Sequence, residues 1–191
     1  MIVRKIILRV IGGKLRGRKL CSLRGAEIRP TADRHREAIF NILAGRNQDA
    51  VVLDLYAGTG ALGIEALSRG AKYAVFIDHQ KDAISIIARN LKLCRFEDRS
   101  KIIQWDIAKN LNCIRAGDQK FDLIFMDPPY QKNLVGPALL HLQQVKALAG
   151  DARIVVEHSP DETIPPDFYT FEILDQRKYG KTLVSFLANV I

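Results

Sequence analysis

The sequence is short of cysteine, of long apolar runs and, at one end, of acid. Cys21, Cys94 and Cys113 are its three cysteines in 191 residues. An odd number without metal-ligand spacing excludes a disulfide framework and points to reduced thiols packed as small apolar groups. His35, His79, His141 and His158 have no mutual spacing that suits a metal, so no metal site is expected. The opening stretch, MIVRKIILRV, is apolar but broken by Arg4, Lys5 and Arg9. Without an h-region or a cleavage site it reads as neither signal peptide nor membrane span, and the expected location is the cytoplasm. Low-complexity tracts and internal repeats are absent too, which excludes solenoids and disordered linkers.

The shortage of acid is local. Residues 1–46 carry 12 Lys/Arg against 3 Asp/Glu, whereas the rest of the chain carries 17 against 18. The whole net charge of +8 therefore comes from one end. Basic residues interleaved with glycine and apolar positions are the footprint of a surface for phosphates, and nucleic acid is the expected partner. A composition of 48% hydrophobic residues over this length suits one globular domain, 47–191, with a basic extension, 1–46, and a monomer is expected.

Within the extension, Ile6 to Lys19 reads as a β-hairpin turning at Gly12-Gly13. Thr31 is placed to cap a helix from Ala32 to about Ala44, with Gly45 as its C-cap. From Val51 the pattern becomes strands alternating with helices. Strands are predicted at 51–55, 73–77, 101–105, 121–126 and 152–157, with helices to about 69 and over 81–93, 108–114 and 134–147. Two last strands, near 168–174 and 182–187, have no helix between them and should form an antiparallel edge hairpin. The fold class is α/β: a Rossmann-like, seven-stranded, mostly parallel sheet covered on both faces.

Three features carry chemistry. The first strand runs into VVLDLYAGTGALG, where Gly58, Gly60 and Gly63 match G-x-G-x-x-G. Such a turn lets backbone approach a ligand and opens a helix whose N-terminus favours negative groups. The first three strands each end in an acid: Asp54, Asp78 and Asp106. Asp78, some twenty residues after the turn, suits ribose hydroxyls, and Asp54 suits a cationic ligand bearing an ammonium and a sulfonium. An adenosine-bearing cofactor follows, with the literal motif still open to a nicotinamide dinucleotide.

The third feature is FDLIFMDPPY, a buried strand that ends in Asp127-Pro128-Pro129-Tyr130. The exocyclic amine of a nucleobase is a poor nucleophile because its lone pair is delocalised into the ring. Acceptors aimed at its N–H bonds redirect that pair. Asp127 supplies a charged acceptor and the Pro128 carbonyl a second, held in place by fixed φ, while Tyr130 can stack on the base.

This D-P-P-Y motif after the fourth strand, with D-x-x-x-G-T-G after the first, resembles the S-adenosylmethionine-dependent amino-methyltransferases of DNA and RNA. RVIGGKLRGRKL followed by RPTADRHREAIFNIL is similar to the N-terminal signature of the bacterial RsmD family, and the resemblance continues through RNLKLC to KYGKTLVSFL. It implies methyl transfer to N2 of a guanine in 16S ribosomal RNA. It also implies that Asp54, Tyr56, Gly58, Thr59 and Gly60 line the methionine part of S-adenosylmethionine, with Asp78 at the ribose and Asp106 at the adenine. Asp127, Pro128 and Tyr130 would hold the guanine, and Arg16, Arg18, Lys19, Arg29 and Arg34 the RNA. The family pattern leads one to expect Glu where this chain has Asp78. Three other functions compete: a DNA adenine-N6 methyltransferase, an NAD-linked oxidoreductase and a non-catalytic RNA-binding module. The first would need a target-recognition domain, the second gives Asp127-Pro-Pro-Tyr no role, and the third would not keep the site residues.

Overall fold

The computed structural model describes residues 8–23, 30–114, 120–130, 132–164 and 170–190. Arg29 lies outside them, as do the beginning of the predicted hairpin and of the sixth predicted strand. Seven strands form one sheet: β1 (Val51–Leu55), β2 (Tyr73–Asp78), β3 (Ser100–Gln104), β4 (Phe121–Met126), β5 (Leu148–His158), β6 (Phe171–Tyr179) and β7 (Thr182–Asn189). Their order is β3-β2-β1-β4-β5-β7-β6. The first five pair in parallel, and β7 is antiparallel to both β5 and β6. The chain reverses direction across the sheet between β1 and β4, which is where open α/β sheets bind ligands.

Strand alternation divides the core into two layers. Val52, Phe76, Phe125, Val155 and Val184 face helices α1 (Pro30–Ile42), α2 (Ala61–Ser68) and α3 (Lys81–Cys94). Leu53, Leu55, Ile77, Ile124, Met126 and Val156 face α4 (Val135–Val145) and the 107–114 loop. Phe40 of α1 packs on Phe125 with ring centroids 5.4 Å apart. Truncating Phe125, which has no exposed surface, would cost about 3–5 kcal/mol. Leu8, Val10, Leu20, Ile39 and Leu43 join the same layer, so the described part of the extension shares the core of the sheet.

Four local expectations are corrected. The helix begins at Pro30, so Thr31 lies within it, not before it. Proline suits a first turn, where its missing N–H would have had no partner. Gly12-Gly13 is not a two-residue hairpin turn. Gly13 opens a 3-10 turn to Leu15, and the two arms meet at an isolated β-bridge, Arg9 with Lys19, with Val10 N donating to Arg18 O, Gly17 N to Val10 O and Leu20 N to Leu8 O. The helix predicted near 108–114 is a run of turns. Asp106 Oδ1 accepts from Ala108 N at 3.2 Å and Asn110 Oδ1 from Asn112 N at 3.0 Å, so side chains take the N–H groups a helix would have used. Strand β6 runs on through the polar residues Asp175 to Tyr179, because β7 offers it a ladder as far as Thr182.

Candidate active site

Both faces of the site rise from the carboxyl ends of the parallel strands. After β1, Tyr56 has φ 57°, Gly58 55° and Gly60 75°, three left-handed residues that fold the chain back before α2. A Cβ on Gly58 would meet only Tyr56 O, at 3.9 Å, and would fill open groove. At Gly63 the constraint is contact, because a Cβ would sit 2.4 Å from Phe76. Buried Asn90 of α3 fixes the loop by donating to Thr59 O at 2.9 Å. The same side chain holds Cys21 through its N–H (2.7 Å) and its carbonyl (3.0 Å), tying the extension to the loop.

The three strand-ending acids are already engaged by backbone. Asp54 is buried and Oδ2 accepts from Gly63 N at 2.9 Å. Burial pushes its carboxyl well above the ordinary range against that hydrogen bond, and negative Asp127 and Asp78 add to the rise. Asp78 accepts from Gly58 N and Gln80 N, both at 2.9 Å. Asp106, more open, stands 3.6 Å from Lys109 Nζ. The Tyr56 hydroxyl is buried without a partner among the described residues. Burial, then the charges of Asp106 and Glu162, make it hard to ionise.

A groove of about 410 Å³ is lined by Leu23, Tyr56, Gly58, Asp78 and Gln80 on one side and by Asp127 to Tyr130 on the other. A second hollow of about 390 Å³, with Trp105, Asp106 and Lys109, adjoins it through His79. The structure thus gathers Tyr56, Gly58, Asp78, Asp127, Pro128 and Tyr130 into one groove and Asp106 into its neighbour. Asp54, Thr59 and Gly60 lie beneath them in the loop, and Asp54 reaches no further than Gly63.

Asp127 is open on one side, yet the protein around it pushes its carboxyl up to about 6. Tyr130, exposed, shares a hydrogen bond with Thr182 of β7 at 2.8 Å. Three residues that sequence reasoning did not place stand behind the groove's lining, Glu157 within range of the charges of Asp127 and Arg36. Glu157, half-buried near the end of β5, is pushed up to about 8 by burial and by Asp127, against the pull of Arg36. His35 of α1 faces the Tyr179 ring at 4.8 Å. Arg36 donates to Arg9 O at 3.0 Å and Asp33 at 2.8 Å, bracing the extension against the helix. Only the parallel register of β4 and β5 could have pointed to Glu157.

The basic hairpin is anchored on α2. Ile11 N and Gly12 N both donate to buried Glu65 at 2.7 Å, and Leu15 N donates to Ser68 Oγ at 3.0 Å. These anchors sit in the second half of α2, with Glu65 about 6 Å and Ser68 about 10 Å from its start beside the glycine loop. Arg18 acts on the charge of Cys94, at the far end of α3. Arg16, Arg18 and Lys19 are exposed. Arg34 is exposed on α1, one residue before His35.

This strand order, the glycine turn after β1 and the acid-proline-proline end of β4 define a Rossmann-like class I methyltransferase. The solved structure of Escherichia coli yhhF superposes with a TM-score of 0.83 at 32% identity, covering 96% of this chain and 98% of that one. The family described as conserved hypothetical protein 95 matches residues 8–188. Ribosomal RNA small subunit methyltransferase D of Haemophilus influenzae is 36% identical over 168 residues, 85% of each chain. The Escherichia coli K12 protein of the same name is 35% identical over 161 residues, 83% of this chain and 78% of its own. The chain belongs to this family, the RsmD family of ribosomal RNA methyltransferases.

Proposed function

We propose that this protein transfers a methyl group from S-adenosylmethionine to the exocyclic N2 of a guanine in 16S ribosomal RNA, acting in the cytoplasm as a monomer on naked or assembling small-subunit RNA. One observation carries the reading: Asp127 meets the groove with a carboxylate that accepts no hydrogen bond from any described residue, beside an exposed aromatic ring.

The groove fits the cofactor on its own terms, since Gly58 leaves bare backbone toward it and Asp78 lines it. When bound, S-adenosylmethionine supplies an activated methyl group on a sulfonium. Asp78 and the 56–60 loop would hold its ribose and methionine parts, and Asp106 with Trp105 its adenine, in the adjoining hollow. Asp54 would act through Gly63 on the loop, with its charge set against the cationic methionine end. Asp127 accepts one N–H of the acceptor amine, and the Pro128 carbonyl accepts the other. The lone pair then points out of the ring plane for in-line attack. Tyr130, braced by Thr182, stacks on the base. No separate base is needed, because the methylated ammonium cannot delocalise its charge and is strongly acidic.

The base must leave its stack to enter, at a cost of a few kcal/mol. Arg34, on the acceptor side, and Arg29 would hold phosphates near the flipped nucleotide. Arg16, Arg18 and Lys19 would meet RNA only further out. Residues 1–46 in this reading serve as the RNA-facing extension of the catalytic domain, 47–191.

The test is direct. Small-subunit RNA and particles from cells lacking the enzyme are incubated with protein and S-adenosylmethionine, digested, and analysed by mass spectrometry. N2-methylguanosine is expected. N6-methyladenosine, or transfer only to DNA, would overturn the assignment in favour of an adenine enzyme.

A further inference from the structure

We propose that Glu157 is the second hand on the acceptor base, pairing with the N1–H and O6 of guanine while Asp127 takes the N2 amine. This rests on the guanine reading above and deepens it.

The geometry comes from the sheet. Met126 pairs with Val156 in parallel register; Glu157 is the next residue of β5, and Asp127 follows the last residue of β4. Neighbouring strands lie about 4.8 Å apart, a span close to the Watson–Crick edge of a purine. Alternation puts Glu157 on the face of Phe125 and Val155, and the charge of Asp127 acts on it there. Neither carboxyl accepts a hydrogen bond from any described residue, although every acid of β1 and β2 on that face does. A half-buried carboxyl such as Glu157 that accepts no hydrogen bond is costly unless a ligand uses it, and the exposed Asp127 beside it is open to the same ligand.

Guanine presents three groups in a row: the N2 amine, N1–H and the O6 carbonyl. An ionised carboxylate suits the first. The other two form a lactam, which a neutral carboxylic acid matches with one acceptor and one donor. The charges around Glu157 favour that neutral form. Asp127 faces it from β4 and Asp54 from β1, both negative, while Arg36 of α1 is the opposing cation. His35 of α1 is engaged with Tyr179, and the β7 residue in register, Val184, is apolar. The pair titrates as a unit, with Asp127 raised to about 6 and Glu157 to about 8. Between those values one carboxyl is charged and the other neutral, as the three edge groups require. Above about 8 a charged Glu157 would repel O6; below about 6 a neutral Asp127 loses its acceptor strength.

The experiment compares Glu157→Gln and Glu157→Leu on small-subunit particles, following kcat and KM from pH 5 to 9 with product identified by mass spectrometry. The amide keeps one acceptor and one donor but cannot ionise. Glu157→Gln should stay within about threefold of wild type at pH 7 and lose the fall in kcat/KM between pH 7 and 9. Glu157→Leu should raise KM for RNA by about tenfold or more, with cofactor affinity unchanged. A Gln variant as impaired as Leu, or one that keeps the alkaline fall, would overturn the assignment, as would an unimpaired Leu variant. If Leu fails to fold, the pH profile of Gln decides alone. A wild-type product other than N2-methylguanosine would overturn the function itself and this role with it.

Discussion

Along the carboxyl edge of one sheet, acids are held in two opposite ways. On β1 to β3, Asp54, Asp78 and Asp106 each accept backbone N–H groups of their own loops. On β4 and β5, Asp127 and Glu157 accept none from described residues and are pushed up by burial. The first group spends its acceptors on shaping a cradle; the second keeps them for something that arrives. In the proposed function this difference would separate preorganised cofactor binding from acceptor recognition, and it can be broken residue by residue.

The largest effect should come from Asp127→Ala. Transfer is expected to fall by about three orders of magnitude, as for loss of one positioned charge-stabilising group. Cofactor affinity by calorimetry should stay within about twofold. A matching loss of cofactor affinity would erase the division between the two halves. Asp78→Ala should do the reverse, weakening S-adenosylmethionine about tenfold or more because ribose acceptor and Gly58 anchor vanish together. An unchanged cofactor Kd would remove Asp78 from the site.

The basic residues give a smaller contrast. Arg34→Ala should flatten the plot of log K against log salt by about 0.7–0.9 for single-stranded RNA or duplex. Arg16→Ala, beside the anchor of Leu15 on α2, should change the slope less. Equal changes would mean that the RNA reaches both residues. The smallest effect concerns Asp54. Its folded pKa is raised, so its stability contribution is full below its unfolded value of 3.8 and is lost as pH rises toward the folded one. Asp54→Asn, which can still accept from Gly63 N, should raise the Tm of the free protein at pH 8 by about 2–4 °C, corresponding to ~1 kcal/mol. The gain should vanish by about pH 4, and a pH-independent gain would point to packing instead.

Much of this was legible early. Val51–Leu55 and Phe121–Met126 fall where their apolar runs predict, since strands buried on both faces read as short, mostly apolar stretches, here broken only by Asp54 and Asp122. The Asp127-Pro-Pro-Tyr cluster was visible because its chemistry is contained in four consecutive residues. The 108–114 segment misled because its apolar residues have helical spacing while Asp106 and Asn110 capture the backbone N–H groups. Glu157 passed unnoticed because nothing around it in the chain marks it. Its partner, Asp127, is thirty residues away and meets it only through strand pairing.

The hairpin shows where the boundary falls. Local sequence determined that residues 9–19 would be basic, glycine-bearing and folded back on themselves, because those properties depend on neighbours a few residues apart. Where on the fold they would dock was decided by Glu65 and Ser68, more than fifty residues on, whose side chains pin the hairpin tip to the second half of α2. Sequence alone set the parts that lie in contiguous chain: the glycine loop and the strand-ending acids. Tertiary structure decided which acids remain free, because a carboxylate is committed or available according to which distant N–H groups the packed fold brings within about 3 Å of it.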